Sequence, residues 1–229
     1  MLELVTKHRW RDARAGLVEN PKLIDFRDDK GRNWLHVCCS VNPRQRALRT
    51  AGGVRTADVL LSAGLDLDEE AFREGEWKAT PLWYAVARGE NLVLARHLLG
   101  LGADPDHCLW AAAYRDDVAV IRLLLDAGAE LDPVAEDETP FLHAVKWSHF
   151  RAAKALLERG AKVDFQDRSG MTALHYMLKK RSDERHVRMV LKFGARGDLP
   201  DGSGSTVKEI MMRKRSAALR EMAAKLEAG

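Results

Sequence analysis

Three cysteines and a few histidines are the residues whose types suggest chemistry first. His36, Cys38 and Cys39 fall within four positions of one another, and His107 directly precedes Cys108. Thiolate and imidazole are zinc ligands, but a closed zinc site needs four at a recognisable spacing. No second Cys-x-x-Cys or His-x-x-x-His pair answers these residues, so small apolar helix positions are the better reading for the three cysteines. Asp201-Gly-Ser-Gly-Ser-Thr206 is glycine-rich, yet it lacks the Gly-x-x-x-x-Gly-Lys pattern that cradles phosphates. No Gly-x-Ser-x-Gly elbow stands ahead of a matching histidine and acid. The expectation is therefore no catalytic residue, no metal and no cofactor. What remains is the chemistry of recognition, carried by Trp, Tyr, Arg and Lys, and its placement depends on the elements that present them.

The clearest of those elements lies in residues 139–163. Thr139 offers its hydroxyl to orphan N–H groups at a helix start, and Pro140 follows where its missing N–H costs nothing. Phe141, Leu142, Ala144 and Val145 give one short apolar helix, and Trp147-Ser148-His149 interrupts it. Phe150, Ala153, Leu156 and Leu157 then recur at helical spacing until Gly160 ends the second helix. Helices this short are not stable alone, so the pair must stack on copies of itself.

The copies are present. An apolar pair stands four and three positions before a glycine at Leu60-Leu61 and Gly64, Leu98-Leu99 and Gly102, Leu124-Leu125 and Gly128, Leu156-Leu157 and Gly160, and Val190-Leu191 and Gly194. Helix starts align at Asn33, Thr80, His107, Thr139, Thr172 and Thr206, with 33 residues from Thr139 to Thr172 and 34 from there to Thr206. Through this period, Thr80-Pro81-Leu82, Thr139-Pro140-Phe141, Thr172-Ala173-Leu174-His175 and the Gly-Ala endings, the chain resembles the ankyrin-repeat family over nearly its whole length. The resemblance implies an all-α solenoid of helix–turn–helix units joined by short fingers.

In chain order, that reading gives one domain over 1–229. An amino-terminal cap at 1–24 precedes repeats at 25–65, 66–103, 104–131, 132–163 and 164–196, and a capping repeat closes it at 197–229. The first repeat carries an insertion at 42–53, read as a polar loop between its two helices. The second has an elongated acidic finger ending in Phe72 and Trp77. The third has almost no finger, because only five residues separate Gly102 from His107.

Composition narrows the setting. The chain has 229 residues and no apolar run long enough to span a membrane. Its odd cysteine number and unpatterned spacing point to a reducing, cytoplasmic home. Net charge is only +3, but it is segregated: residues 1–55 carry 12 Lys/Arg against 6 Asp/Glu, and residues 56–138 carry 6 against 18. The basic excess returns after Thr139. Such an acidic centre opposes a nucleic acid lying along the array, and a protein with matching patches is easier to accommodate. Arg outnumbers Lys by 24 to 13, which hints at a bacterial source.

Ankyrin proteins usually bind other proteins on a concave surface built from finger tips and inner-helix ends. By that resemblance the expected function is a non-enzymatic scaffold or interaction module whose partner is another protein, with no small-molecule substrate, acting as a monomer. The protein-binding residues expected are Trp77, Arg88, Tyr114, Arg115, Lys146, Trp147, Arg168, Met171, Lys179 and Lys180. Trp147 either faces solvent or folds back between its helices, and Tyr114 poses the same choice. Both are taken here as exposed, with the centre of the surface near Trp147. Trp83 and Trp110 stand at the position of a family histidine and are expected in the core, whereas His36 and His175 match that histidine. The alternatives are nucleic-acid association through the basic carboxyl-terminal third and self-association of acidic centre with basic ends.

Overall fold

At Asn33, Thr80, Thr139 and Thr206 the expected helix starts are built as their residue types dictate. The Thr139 hydroxyl accepts from the Leu142 N–H at 3.2 Å, and the Thr80 hydroxyl accepts from that of Trp83 at the same distance. Asn33 accepts from Leu35 and His36, and Thr206 pairs with Glu209 in a reciprocal capping box. Pro81 and Pro140 occupy the first helical turn. At the far ends, Gly64 and Gly160 take φ values of +103° and +92°, a region that costs residues with a Cβ.

The computed structural model describes residues 1–74 and 77–226, and the side chains of 73, 74, 77 and 78 lie outside the description. The chain divides into two compact units, one of residues 1–112 with 122–129 and the other of 113–121 with 130–229. The first unit opens with α1 (Leu2–Thr6), α2 (Trp10–Glu19) and a 3-10 turn at Pro21–Asp25, followed by α3 (Trp34–Cys39) and α4 (Thr50–Ser62). A hairpin follows, with β1 (Arg73–Glu74) antiparallel to β2 (Trp77–Lys78) and Glu74 opposite Trp77. Then come α5 (Pro81–Ala87) and α6 (Leu92–Gly100), most of α7 (Cys108–Tyr114) and the end of α8 (Val118–Asp126). The second unit holds α9 (Pro140–Lys146), α10 (Phe150–Glu158), α11 (Ala173–Lys179), α12 (Glu184–Lys192), α13 (Val207–Met212) and α14 (Ala217–Ala224).

Stacking within each unit is in two layers. α3 packs on α1 and α5, and α4 packs on α2 and α6; in the second unit α11 lies between α9 and α13, with α12 between α10 and α14. The core is the repeated apolar position: Leu60, Leu98, Leu124, Leu156 and Val190 are fully buried. Each such side chain contributes about 2–3 kcal/mol by leaving water. Polar links join neighbouring repeats. His36 accepts from the Asn33 N–H through Nδ1, and its Nε2 lies 2.8 Å from the Glu69 carbonyl; His175 bridges Thr172 and the Ser205 carbonyl in the same way. The carboxylates of Asp132 and Asp164 accept the backbone N–H groups of Lys162 and Arg196, 30 and 32 positions further along the chain. At the finger tips Asp28, Asp167 and Asp201 each fold a turn by accepting two backbone N–H groups through Oδ1.

Two expectations need correction. The insertion at 42–53 is not a loop throughout, because α4 begins at Thr50 and takes Gly52 and Gly53 into its first turns. Those glycines serve close packing: a Cβ on Gly53 would stand 3.1 Å from the imidazole of His8, which lies buried against that helix face. Trp83 is half-buried rather than core, because Tyr84 takes the buried place beside it with the two rings edge to face at 5.2 Å. Trp110 is buried as expected. The third repeat's helix starts at Cys108, and His107 precedes it in left-handed conformation at φ +64°.

Candidate protein-binding face

The second unit presents an aromatic cluster where inner helices meet the bends that follow them. Tyr114 ends α7 and Trp147 caps α9, each just before a residue of positive φ, Asp116 and Ser148. These bends are fastened from below. The Ala152 N–H donates to Asp116 Oδ1 at 2.7 Å, and His149 Nδ1 lies 3.1 Å from the Ala113 carbonyl. Held in this way, the rings of Tyr114 and Trp147 meet edge to face with centroids 5.2 Å apart. His149 stands edge-on to Tyr114 at 5.8 Å, and His143 lies tilted near both rings at 6.1 and 6.2 Å. Despite these contacts Tyr114 remains 50% exposed and Trp147 54%. Both therefore face solvent, and neither folds back between its helices.

Charge surrounds the cluster in an ordered way. Lys146 pairs with Glu138 and stands 5.0 Å above the ring of Tyr176. Glu138 also meets His143 Nδ1 at 2.7 Å. Partial burial pushes the Glu138 carboxyl up, but hydrogen bonds from His143 and Lys146 outweigh it and keep the group below the usual carboxylate range. The Lys180 ammonium donates to the Lys146 carbonyl, and the Lys214 ammonium repeats the contact one unit on, to the Leu178 carbonyl at 3.1 Å. Tyr176 donates to Asp167, and burial, this bond and the neighbouring carboxylates push its phenol up.

The structure thus brings Tyr114, Lys146, Trp147 and Lys180 together. Arg115 and Lys179 are exposed on adjoining positions of the same elements. Arg168 donates its backbone N–H to Asp137 at 2.6 Å while its side chain extends into solvent; Met171 is half-buried, with its N–H on Asp167. Arg88 is exposed after α5 in the first unit, and the side chain of Trp77 lies outside the described residues. Sequence reasoning missed His143, His149, Glu138 and Tyr176. One signal was available, since His143 and Trp147 are four apart and so share a helix face. The cysteines take no part: all three are fully buried, and burial pushes the Cys38 thiol up to about 12, far from a reactive thiolate. Among the described residues, no three His, Cys, Asp or Glu side chains gather where a metal could sit, and no helix is long and apolar enough to cross a membrane.

Stacked helix pairs with glycine-stopped second helices define a helical-repeat protein. The particular family is ankyrin, and the chain belongs to it: the family model for ankyrin repeats (3 copies) matches residues 82–167 and 108–201. Ankyrin repeats are general protein–protein interaction modules. The chain is 29% identical over 141 residues to the phosphocholine transferase AnkX of Legionella pneumophila, covering 56% of this chain and 14% of that protein. It is 31% identical over 134 residues to the potassium channel AKT2/3 of Arabidopsis thaliana, covering 56% of this chain and 16% of the channel. The matched stretch is therefore about a seventh of either curated relative's length. Among solved structures, the human ASB11 ankyrin repeat domain superposes with a TM-score of 0.73 at 18% identity, covering 100% of this chain and 97% of that one, a likeness of fold.

Proposed function

We propose that this chain is a non-enzymatic module that binds another protein through the inner-helix face centred on Tyr114 and Trp147. The observation that carries this reading is the aromatic pair itself. Two large rings stay half exposed although they are fixed by neighbours and by fastened bends, so little ordering cost remains at binding. Trp and Tyr are also the residue types that dominate interface energetics. Lys146, Lys179, Lys180 and Arg115 supply charge beside the pair, and Arg168 and Met171 extend the face toward the fingers. Arg88 and Trp77, in the first unit, are further binding residues of this reading. The chain acts as one domain over 1–229 with the repeat boundaries given above, as a cytoplasmic monomer of bacterial origin, without a cofactor or small-molecule substrate. The family's concave surface is the face meant.

The test is affinity purification of partners from the source cell, followed by calorimetry of the identified partner with wild type and with Tyr114→Ala/Trp147→Ala. The double change is expected to weaken binding by about 2 kcal/mol or more, roughly thirtyfold. Equal binding by both proteins would place the interface elsewhere. A mobility shift with duplex DNA at low salt, abolished by added salt, would instead favour the basic carboxyl-terminal third, where Lys179, Lys180, Arg213 and Arg215 are exposed and Lys214 is half-buried.

A further inference from the structure

Away from the aromatic pair, in the first unit, a groove of about 760 Å³ opens between α2 and α4. Its walls are one face of each helix: Trp10, Arg14, Leu17 and Val18 from α2, and Arg55, Asp58 and Val59 among those from α4. These spacings of three, four and seven residues put the side chains in line. Pro21 and Ile24 of the 3-10 turn also line it. The floor is apolar, and Val18 is left 75% exposed at its edge.

Its charge is one-sided. Arg55, in the lining, and Arg11, beside it, both stand over the Trp10 ring, with guanidinium carbons 5.5 and 4.8 Å from the centroid. Arg14 adds a third cation. Asp58 is the sole carboxylate among the lining residues, and it is already engaged by His97 Nε2 at 2.6 Å. An apolar trough edged by arginines, with its one acid already engaged, fits an occupant that is apolar on one side and acidic on the other. We infer that this groove docks an acidic amphipathic segment of a partner protein. Its apolar side chains lie on Trp10, Leu17 and Val59, and its carboxylates meet Arg14 and Arg55. From Trp10 to Val18 the trough runs about 12 Å, the length of roughly two helical turns. This is a second surface, independent of the Tyr114–Trp147 face.

The test uses the full chain and a fluorescein-labelled 12-residue peptide of alternating Glu and Leu pairs, read by anisotropy. Two controls replace every Glu by Lys or every Leu by Ser. The acidic apolar peptide should bind at least tenfold tighter than either control, and Arg14→Glu or Val18→Asp should each weaken it at least fivefold with the circular dichroism spectrum unchanged. Both positions are exposed, so these variants keep the core. Equal binding of the Lys peptide, or insensitivity to both changes, would overturn the proposal. Tyr114→Ala/Trp147→Ala should leave this binding intact, and loss of it there would assign the peptide to the other face. Sedimentation of wild type alone as a dimer that Arg14→Glu dissociates would overturn the choice of partner in favour of a second copy.

Discussion

α3 and α9 begin alike and use a histidine differently. In α3 the histidine is the third helical residue, His36, fully buried, closing its own cap and reaching the next finger's carbonyl. α11 does the same with His175. In α9 the third residue is Leu142 and the histidine comes one place later, at His143. One residue is a turn of about 100° around the helix axis. That shift takes the imidazole out of the repeat interface and sets it beside Glu138, Tyr114 and Trp147. The lost polar link in α9 is replaced by a buried leucine, and a face suited to recognition gains a ring. Register on the helix, not residue type, decides the role.

The sharpest way to break this comparison is to remove each histidine in turn. His175→Ala should cost about 2–3 kcal/mol, since it leaves a buried backbone N–H without its acceptor and opens a cavity. His143→Ala should cost about 0.5 kcal/mol, because its partners remain in contact with water and with each other. Urea denaturation of both variants measures the difference, and equal losses would undo the distinction. Next in size, Thr139→Ala should lower stability by about 1 kcal/mol through its cap alone, with the aromatic cluster's binding unchanged.

The buried histidines also predict a pH response. Burial lowers the pKa of His36 and of His8 below the ordinary histidine value of about 6.5, so the native state binds fewer protons than the unfolded chain in that range. Their contribution is complete above the unfolded value and is lost as pH falls through the folded one. Urea midpoints should be level from about pH 8 to 6.5 and decline below it, with the slope reduced in His36→Gln. A midpoint that rises on acidification would contradict the assignment of both as neutral in the folded state. Glu138→Gln should likewise cost about 1 kcal/mol or less by urea denaturation, reflecting a half-buried pair with Lys146 and His143.

Much of the fold was legible because its determinants are local. Capping by Thr139 and Thr206, proline at the first turn and glycine after the apolar pair each act within a few residues, so their recurrence at 33 and 34 positions could be read directly. The glycines in α4 were misread because their reason is distant: His8, more than forty positions earlier, needs a helix face without side chains. Trp83 was misplaced because Tyr84, its neighbour, took the buried slot. At the candidate site the exposure of Tyr114 and Trp147 followed from their place at helix ends, whereas Glu138, His149 and Tyr176 join it only through packing.

By itself, then, the sequence determined the family, the repeat phase and the starts of the capped inner helices, since these rest on backbone hydrogen bonds and caps closed over short spans. Only the tertiary structure decided which rings touch, which carboxylate each lysine meets and that an arginine-edged groove lies between α2 and α4. Tyr114 and Trp147 are 33 positions apart and Trp10 and Arg55 are 45 apart, and the geometry of such contacts is set by how one helix pair settles on the next.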